Sequence, residues 1–210
     1  MSAALAAIII GASVAVAEPI TVGAVHKVQA RVDATQAGET RALAANSDVY
    51  FRDRCHSGEG ARLQATLKDD AQLTLGENAT LVVDDFVYNP FRSRGELSLR
   101  VVKGAFLYVG GQAERLSGAK VRIQTPVAAI GVRGTTVWDG PIDKGYGVIA
   151  LSCEVTVTGR RGTVTLKQGQ GTMLFGDGKP QRAAAWSVGR LRRAVASITF
   201  GKPPGDLKPR

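Results

Sequence analysis

Histidine and cysteine, the residues most used for metal binding and nucleophilic catalysis, are scarce in this chain. It has two histidines, His26 and His56, and two cysteines, Cys55 and Cys153. Neither histidine belongs to a spaced cluster of Cys, Asp or Glu that could hold zinc. The adjacent pair Cys55-His56 is a poor arrangement for a nucleophile and its base. No nucleophile elbow, P-loop or dinucleotide fingerprint is present. The sequence therefore predicts a protein that is not an enzyme, with no catalytic residues, no metal and no cofactor.

Long apolar segments are also missing. A helix that spans a bilayer needs about 20 apolar residues, and no apolar run in the sequence reaches that length. An apolar run at residues 5–16 leads into the small-residue pattern Ala15-Val16-Ala17, followed by Glu18. This pattern is typical of a cleaved signal peptide. We therefore expect residues 1–17 to be removed on export and the mature protein to be periplasmic. The alternative is that this segment is disordered or forms a buried N-terminal strand.

Aromatic residues are few, at 6%, whereas glycine is abundant, with 25 residues. Apolar residues alternate with polar ones along most of the chain, and this period of two marks half-buried strands. The runs that show it most clearly are Val49–Phe51, Leu63–Leu67, Leu73–Leu75, Leu81–Val83, Leu97–Val101, Ala105–Val109, Val121–Ile123, Thr135–Val137, Val148–Ala150, Val155–Val157, Val164–Leu166 and Met173–Phe175. They predict an all-β domain over residues 18–180. The uneven spacing and the few Asn-Gly turns favour a β-solenoid or roll-like stack of short strands, with a β-sandwich as the alternative.

Acidic residues are nearly absent from the C-terminal segment. Residues 182–210 hold seven Lys or Arg and one acid, so they carry a net six of the formal charge of +9. The rest of the chain is nearly balanced, and the basic composition does not indicate nucleic-acid binding. Apolar residues recur at steps of three or four within residues 181–200, which predicts a basic amphipathic helix. We expect this helix to cover an open end of the β-structure or, alternatively, to dock on a partner or contact a membrane peripherally through residues 182–198. The proline-rich residues 201–210 are expected to be disordered.

The two cysteines allow one disulfide. Export would place Cys55 and Cys153 in an oxidising compartment, where a pair of thiols tends to be bridged. A bridge between them would close a long loop and would require the strands that carry them to lie side by side or on facing layers. The alternative is two isolated thiols that act as small apolar side chains.

Two segments in the middle of the chain are more specific than a generic β-sequence. Residues 103–111 read KGAFLYVGG, and residues 121–135 read VRIQTPVAAIGVRGT. In this order and spacing they resemble the signature of the FecR domain family, and the resemblance covers about residues 40–175. Flanking pieces that agree with it are residues 67–75, 82–90 and 166–170. The residues that carry the motif are Lys103, Gly104, Phe106, Thr125, Pro126, Gly131, Arg133, Gly134 and Thr135.

The resemblance implies a function in binding. In founding members of the family this domain is the periplasmic part of a transmembrane regulator that restrains a sigma factor and senses an outer-membrane iron-siderophore receptor. We expect a non-catalytic periplasmic binding or scaffold module of the cell envelope that recognises a protein or a glycan. The alternative is a periplasmic component of a trans-envelope signalling system that regulates a sigma factor. Two positions depart from the family pattern: Leu107 replaces an arginine and Cys153 replaces a glycine.

The sharpest local feature is the segment Gly131–Thr135, in which two glycines bracket Arg133. Free backbone N–H groups and the guanidinium could converge there on an anion. The alternative is structural and is the one we expect: the glycines turn a corner, and Arg133 is mostly buried and paired with a carboxylate. The candidate partners are Asp84, Asp85 and Asp139.

The signal-peptide interpretation predicts the N-terminus of the mature protein. Because Ala15 and Ala17 occupy the small-residue positions of a signal-peptidase site, the exported protein should begin at Glu18, as intact-mass analysis of periplasmic material would show. Recovery of protein that retains Met1 only from the cytoplasm would contradict the periplasmic localisation.

Overall fold

The structure is a computed structural model that describes residues 18–201. Residues 1–17, where we expect the signal peptide, and all but the first residue of the 201–210 tail lie outside the described residues. The elements in chain order are β1 Thr21–Gln29, β2 Val32–Gln36, β3 Glu39–Ala42, β4 Asp48–Tyr50, β5 Arg54–Ser57, β6 Arg62–Leu67, β7 Gln72–Leu75, β8 Thr80–Asn89, β9 Arg94–Lys103, β10 Phe106–Val109, β11 Lys120–Gln124, β12 Ala128–Arg133, β13 Thr136–Ile142, β14 Gly145–Ala150, β15 Glu154–Gly159, β16 Gly162–Leu166, β17 Gln170–Leu174, β18 Ala184–Ala185 and α1 Val188–Ile198.

The strands form two nine-stranded sheets. The first sheet has the order β18-β17-β14-β13-β10-β7-β6-β1-β4, and the second has the order β16-β15-β12-β11-β9-β8-β5-β2-β3. The all-β prediction with a C-terminal helix is thus confirmed. Apart from the last strand of each sheet, strand numbers fall from one edge to the other, so the chain adds strands to the two sheets alternately, as in a roll-like stack. All strand pairs except β9–β11 are antiparallel, as is common in a sandwich.

Alternation of side chains explains why these segments become strands with one buried face. In β9, Leu97, Leu99 and Val101 are almost fully buried, whereas the intervening side chains lie on the outer face. The inward side chains of both sheets form one continuous apolar core. Each of the twelve runs singled out from the sequence overlaps a strand.

The strands that the alternation missed have weak sequence signals. In β12 the outer positions include Ala129 and Gly131, so the polar half of the alternation is mostly absent. In β5 the sequence Arg54–Ser57 contains one buried apolar side chain, Cys55, beside the buried Ser57. Pairing with neighbouring strands holds both segments in the sheet. The alternation within one segment does not reveal such pairing, so the sequence did not predict these strands.

The two cysteines are free, so the predicted disulfide is wrong. Cys55 lies in β5, is 2% exposed and belongs to the core, whereas Cys153 is exposed in the turn that precedes β15. The strands β8, β9, β11 and β12 separate β5 from β15 in the second sheet. At about 4.8 Å per strand the gap is roughly 24 Å, and a disulfide requires Cα atoms within about 7 Å. Burial raises the pKa of the Cys55 thiol to about 12, so it remains protonated and acts as an apolar core residue.

The C-terminal helix is present but covers a sheet face rather than an open end. It is shorter than predicted, because Ala184–Ala185 pair with β17 as a strand and Ser187 caps the helix. Its inner side packs on Trp138, Ile149 and Met173 of the first sheet in a second apolar cluster. The C-terminal segment contributes Trp186, just before the helix, and Leu191, Ala194 and Ile198 within it. This packing favours the covering role over membrane contact, since most of the apolar face contacts the protein.

In the described part of the chain, no helix is long and apolar enough to cross a membrane. The single α-helix, α1, has 11 residues.

Candidate functional site

The Gly131–Thr135 segment carries the chain from the second sheet to the first, because it joins the end of β12 to the start of β13. Gly134 makes the corner with φ +62°, a conformation that strains residues with a side chain. Gly131 lies within β12 and has no positive φ. Thr135 is buried, and its hydroxyl donates a hydrogen bond to the backbone carbonyl of Ser152. The corner proposed from the sequence is therefore made by Gly134 alone.

A buried carboxylate, Glu114, holds this corner. The backbone N–H groups of Gly134 and Thr135 both donate to Glu114 Oε2, the second over 3.3 Å. The Tyr108 hydroxyl donates to Glu114 Oε1 over 2.5 Å. Burial raises the pKa of the Glu114 carboxyl, and these hydrogen bonds counteract part of that rise. We call Glu114 with its three donors the Glu114 knot.

A second buried carboxylate, Asp69, fixes the loop that presents Glu114. Its two oxygens accept hydrogen bonds from the backbone N–H groups of Ala71 and Ala113, each over 3.2 Å. Burial raises the pKa of Asp69, and the same hydrogen bonds oppose the rise. These two hydrogen bonds hold the loop in place, so Glu114 is already positioned against the corner.

The knot changes the interpretation of Arg133. The backbone N–H groups that were expected to bind an anion are already bonded to Glu114, so they are not free. Arg133 itself is exposed, and the described residues place no carboxylate within 4.0 Å of it. The prediction that Arg133 is buried and paired is wrong, because an alternating strand that buries Val132 must direct Arg133 to the outer face.

The three proposed carboxylate partners have other roles. Asp84 pairs with Arg100 over 2.5 Å on the sheet surface. Asp139 is fully buried in the core and accepts a hydrogen bond from the Tyr146 hydroxyl over 2.6 Å. Asp85 is half-buried on β8. Thus none of them is bound to Arg133.

Arg133 lines an open groove on the outer face of the second sheet, which we call the cationic groove. It has a volume of about 520 Å³ and crosses β11, β12 and the start of β15. Its charged side chains are Lys120, Arg122, Arg133 and Glu154. A smaller depression of about 260 Å³ shares Lys120 and Arg122 and continues the surface toward Asp85 and Glu96.

The floor of the cationic groove is open because Gly131 has no side chain. A Cβ atom built on Gly131 would meet nothing closer than Thr156 at 4.0 Å. Arg122 is the direct cross-strand neighbour of Gly131, and Arg133 is that of Glu154. Among residues 18–201, none of the cations Lys120, Arg122 and Arg133 forms an ion pair within 4.0 Å. Guanidinium groups left free in this way can bind carboxylates bidentately.

The remaining motif residues mainly support the fold. Gly104 turns a corner with φ +85°, and a Cβ there would collide with Ala79 at 2.4 Å. Phe106 is 1% exposed in the core. The Thr125 hydroxyl oxygen accepts the N–H of Ala128 over 3.0 Å and so closes the turn around Pro126. Lys103 and Pro126 are exposed. The structure therefore does not bring all nine motif residues together in one site.

Some residues of interest were missed by the sequence reasoning. Glu114 carries no sequence signal, because its importance depends on contacts with residues 20 or more positions away. Lys120 and Arg122 had a signal, since they alternate with the buried Val121 and Ile123 on one strand. In the described part of the chain no group of three His, Cys, Asp or Glu side chains is placed to hold a metal ion.

Comparison with known proteins identifies the family. The family profile described as FecR protein matches residues 53–173, more than half of the chain. The chain therefore belongs to the FecR family, as the motif indicated. A search of curated proteins returned no match.

Solved structures support the same fold. Two crystal structures of a proposed anti-sigma factor from Parabacteroides distasonis, at 2.50 and 1.65 Å resolution, align with TM-scores of 0.54 and 0.53. In both, 14% of residues are identical, and the alignment covers 66% of this chain and 62% of that protein. The similarity at this level of identity concerns the fold. The chain spans less than two thirds of the length of that protein.

The Glu114 knot predicts a contrast between two substitutions. Glu114→Ala leaves the Tyr108 hydroxyl and the buried Thr135 N–H without their acceptor, and each unsatisfied buried donor costs about 1–3 kcal/mol. We expect the free energy of unfolding to fall by about 3 kcal/mol, measured by urea denaturation. The matched surface variant Arg133→Ala should change it by less than about 0.5 kcal/mol. Equal effects of the two variants would contradict this account.

Asp139 predicts a pH dependence. Burial raises its pKa from 3.8 to about 7, and its Oδ2 atom has no hydrogen-bond partner in the described residues. The folded protein therefore holds a proton that the unfolded chain has lost between about pH 4 and pH 7, so stability must fall as the pH rises through that window. Asp139→Asn should be more stable relative to the wild type at pH 8 than at pH 5 in urea denaturation.

The control for this experiment is Asp143→Asn. Arg190 lowers the pKa of Asp143, and so does Arg193, so its titration lies below that pH range. Its effect on stability should be the same at pH 5 and pH 8. A pH-independent effect of Asp139→Asn would show that Asp139 is ionised throughout.

Proposed function

We propose that this chain is the partner-binding β-domain of a regulatory system that controls a sigma factor across the cell envelope. Membership of the FecR family supports this proposal, and the matched residues 53–173 span the stack from β5 to β17. The fold shared with a proposed anti-sigma factor points to the same class of system. These comparisons favour signalling over a glycan-binding scaffold, although both interpretations describe a binding protein that acts in the periplasm.

The observation that carries the proposal is the outward position of Arg133. The family motif places this arginine on the surface, the Glu114 knot fixes the corner beside it, and no carboxylate of the described chain satisfies it. An exposed, unpaired arginine on a fixed strand end next to Arg122 suits recognition of an acidic segment on another protein. In this account the core residues of the motif maintain the sheet, and Arg133 with its cationic neighbours makes the contact.

The open shape of the cationic groove agrees with a protein segment as ligand. The groove is a shallow surface over the strands, whereas sites for small molecules are usually concave and enclose most of the ligand. Gly131 lets a backbone approach the sheet closely. Arg122 and Arg133 lie on adjacent strands and can contact successive carboxylates of an extended acidic chain.

Charge reversal of the cationic groove tests the proposal in cells. Arg122→Glu combined with Arg133→Glu should repel an acidic partner. It should therefore change the same sigma-dependent transcripts as deletion of the gene, as measured by RNA sequencing, with the protein level unchanged in immunoblots. The control Arg161→Glu reverses an exposed charge at the far end of β15, in the β15–β16 turn, and should leave the transcripts at their wild-type level.

One result would overturn the proposed function, and another would overturn only the role of the cationic groove. If gene deletion changes no sigma-dependent transcript, the chain does not act in such a system. If deletion changes those transcripts but the double charge reversal does not, the domain belongs to the system and the cationic groove is not its contact surface.

A further inference from the structure

The hairpin formed by β8 and β9 extends past its neighbours in the second sheet. Its two strands pair up to Asn89 and Arg94. By contrast, β5 pairs with β8 only at residues 80–82, and β11 pairs with β9 only at residues 96–100. The end of the hairpin therefore has no neighbouring strand on either side. We call residues 88–95 the hairpin tip.

Phe91 lies at the end of the hairpin tip and is 99% exposed. The next most exposed large apolar side chain among the described residues is Ile20, at 66%. Phe91 makes no contribution to the core, and a fully exposed phenyl ring is unfavourable in water. Burial of such a side chain against another surface lowers the free energy and so favours binding.

The backbone of the hairpin tip is preorganised. Residues Pro90–Arg92 form a single 3₁₀ turn, and the Asn89 side chain accepts the N–H of Arg92 over 3.0 Å. Ser93 closes the turn in the left-handed conformation with φ 48°. Because Pro90 fixes its own φ and the cap fixes the turn, the backbone that carries the ring has little conformational entropy left to lose on binding.

The base of the hairpin tip is connected to the loop that carries Glu114. The Tyr88 hydroxyl donates to Gln112 Oε1 over 2.8 Å. Gly95 packs so closely that a Cβ atom on it would lie 2.3 Å from the carbonyl oxygen of Ala113. The tip is thus braced against the same loop that fixes the Gly134 corner, so it projects in a defined direction from the sheet.

The charges around Phe91 indicate the kind of surface that it fits. Residues 88–95 contain two arginines, Arg92 and Arg94, and no acidic residue. Arg92 is exposed, and Arg94 lies 3.4 Å from Glu96 with 62% of its side chain still accessible. The surface complementary to the tip is therefore an apolar pocket with carboxylates on its rim.

An anionic membrane is a poorer match than a protein. Even a myristoyl chain gives only marginal, reversible membrane binding, and one phenyl ring buries less apolar surface than that chain. A single rigid aromatic side chain in a protein pocket, in contrast, is a common hot spot of an interface, especially next to arginine.

We propose that Phe91 is the anchor of a docking tip that inserts into an apolar, carboxylate-rimmed pocket on a partner protein. This inference rests on the proposed function, since it adds a second contact by which the domain engages a component of the regulatory system. It uses a surface whose residues do not line the cationic groove.

Photocrosslinking tests this proposal with the full chain in its native cells. The photoreactive residue p-benzoylphenylalanine at position 91 keeps a phenylalanine-like ring at the tip, and the same residue at the exposed position Thr165 is the control. We expect ultraviolet light to join position 91 to one protein, at a peptide that contains Asp or Glu beside apolar residues. Arg92→Glu with Arg94→Glu should reduce that yield at least tenfold.

The purified partner then allows a quantitative test. Phe91→Ala should weaken its binding by about 30-fold or more, as expected for a hot spot, whereas Phe91→Trp should stay within a few-fold of the wild type. The melting temperature of both variants should be unchanged, because Phe91 contacts no core residue. A crosslink yield at position 91 no higher than at position 165, or crosslinks to lipid, would overturn the proposal.

The two proposals can fail separately. If the charge reversal in the cationic groove alters sigma-dependent transcripts but Phe91 crosslinks to no protein, the regulatory function stands and the docking tip does not. If Phe91 crosslinks to an acidic protein while gene deletion leaves those transcripts unchanged, the docking tip stands and the regulatory function fails.

Discussion

The buried Glu114 carboxylate is the interaction on which the corner beside the cationic groove depends. It accepts hydrogen bonds from Tyr108 of the first sheet and from the Gly134 corner, where the chain leaves the second sheet. Its desolvation is costly, and three donors offset that cost because each is fixed by the fold. The same loop braces the β8–β9 hairpin through Gln112 and Ala113. One carboxylate therefore joins a strand of the first sheet to the corner at which the chain leaves the second sheet, and the loop that carries it also contacts the base of the hairpin.

The family motif has two physical roles. Gly104, Phe106 and Thr125 maintain corners and core, so their chemistry is that of folding. Arg133 differs, because its side chain points outward and the described residues give it no ion pair. Under the proposed function, Arg133 and the surface side chains beside it make the contact with the partner, whereas the core residues of the motif keep the β-scaffold in place. Lys120 and Arg122 lie on the outer face of β11, so substitutions there leave the apolar core unchanged.

Sequence alone predicted the fold class because alternation reports burial directly. The β9 run was found since its inner leucines are interrupted by polar residues, whereas β12 was missed because Gly131 and Ala129 blur the same pattern. The sequence alone could not predict which residues far apart in the chain lie close together in the fold. The separation of Cys55 from Cys153 depends on strand order, and the capture of the Gly134 N–H by Glu114 depends on a tertiary contact. The burial of Arg133 was predicted wrongly because residues 128–133 were not recognised as a strand, and it is the alternation within that strand that directs Arg133 outward.

Amide hydrogen exchange measured by NMR tests the central claim most directly. Gly134 is an exposed residue, yet the account requires its N–H to be bonded to a buried carboxylate. We predict that the Gly134 and Thr135 amides exchange at least 100-fold more slowly than the amide of Gly118, an exposed turn glycine for which residues 18–201 supply no acceptor. In Glu114→Ala the protection of Gly134 should be lost. Exchange of Gly134 as fast as Gly118 in the wild-type protein would contradict the account.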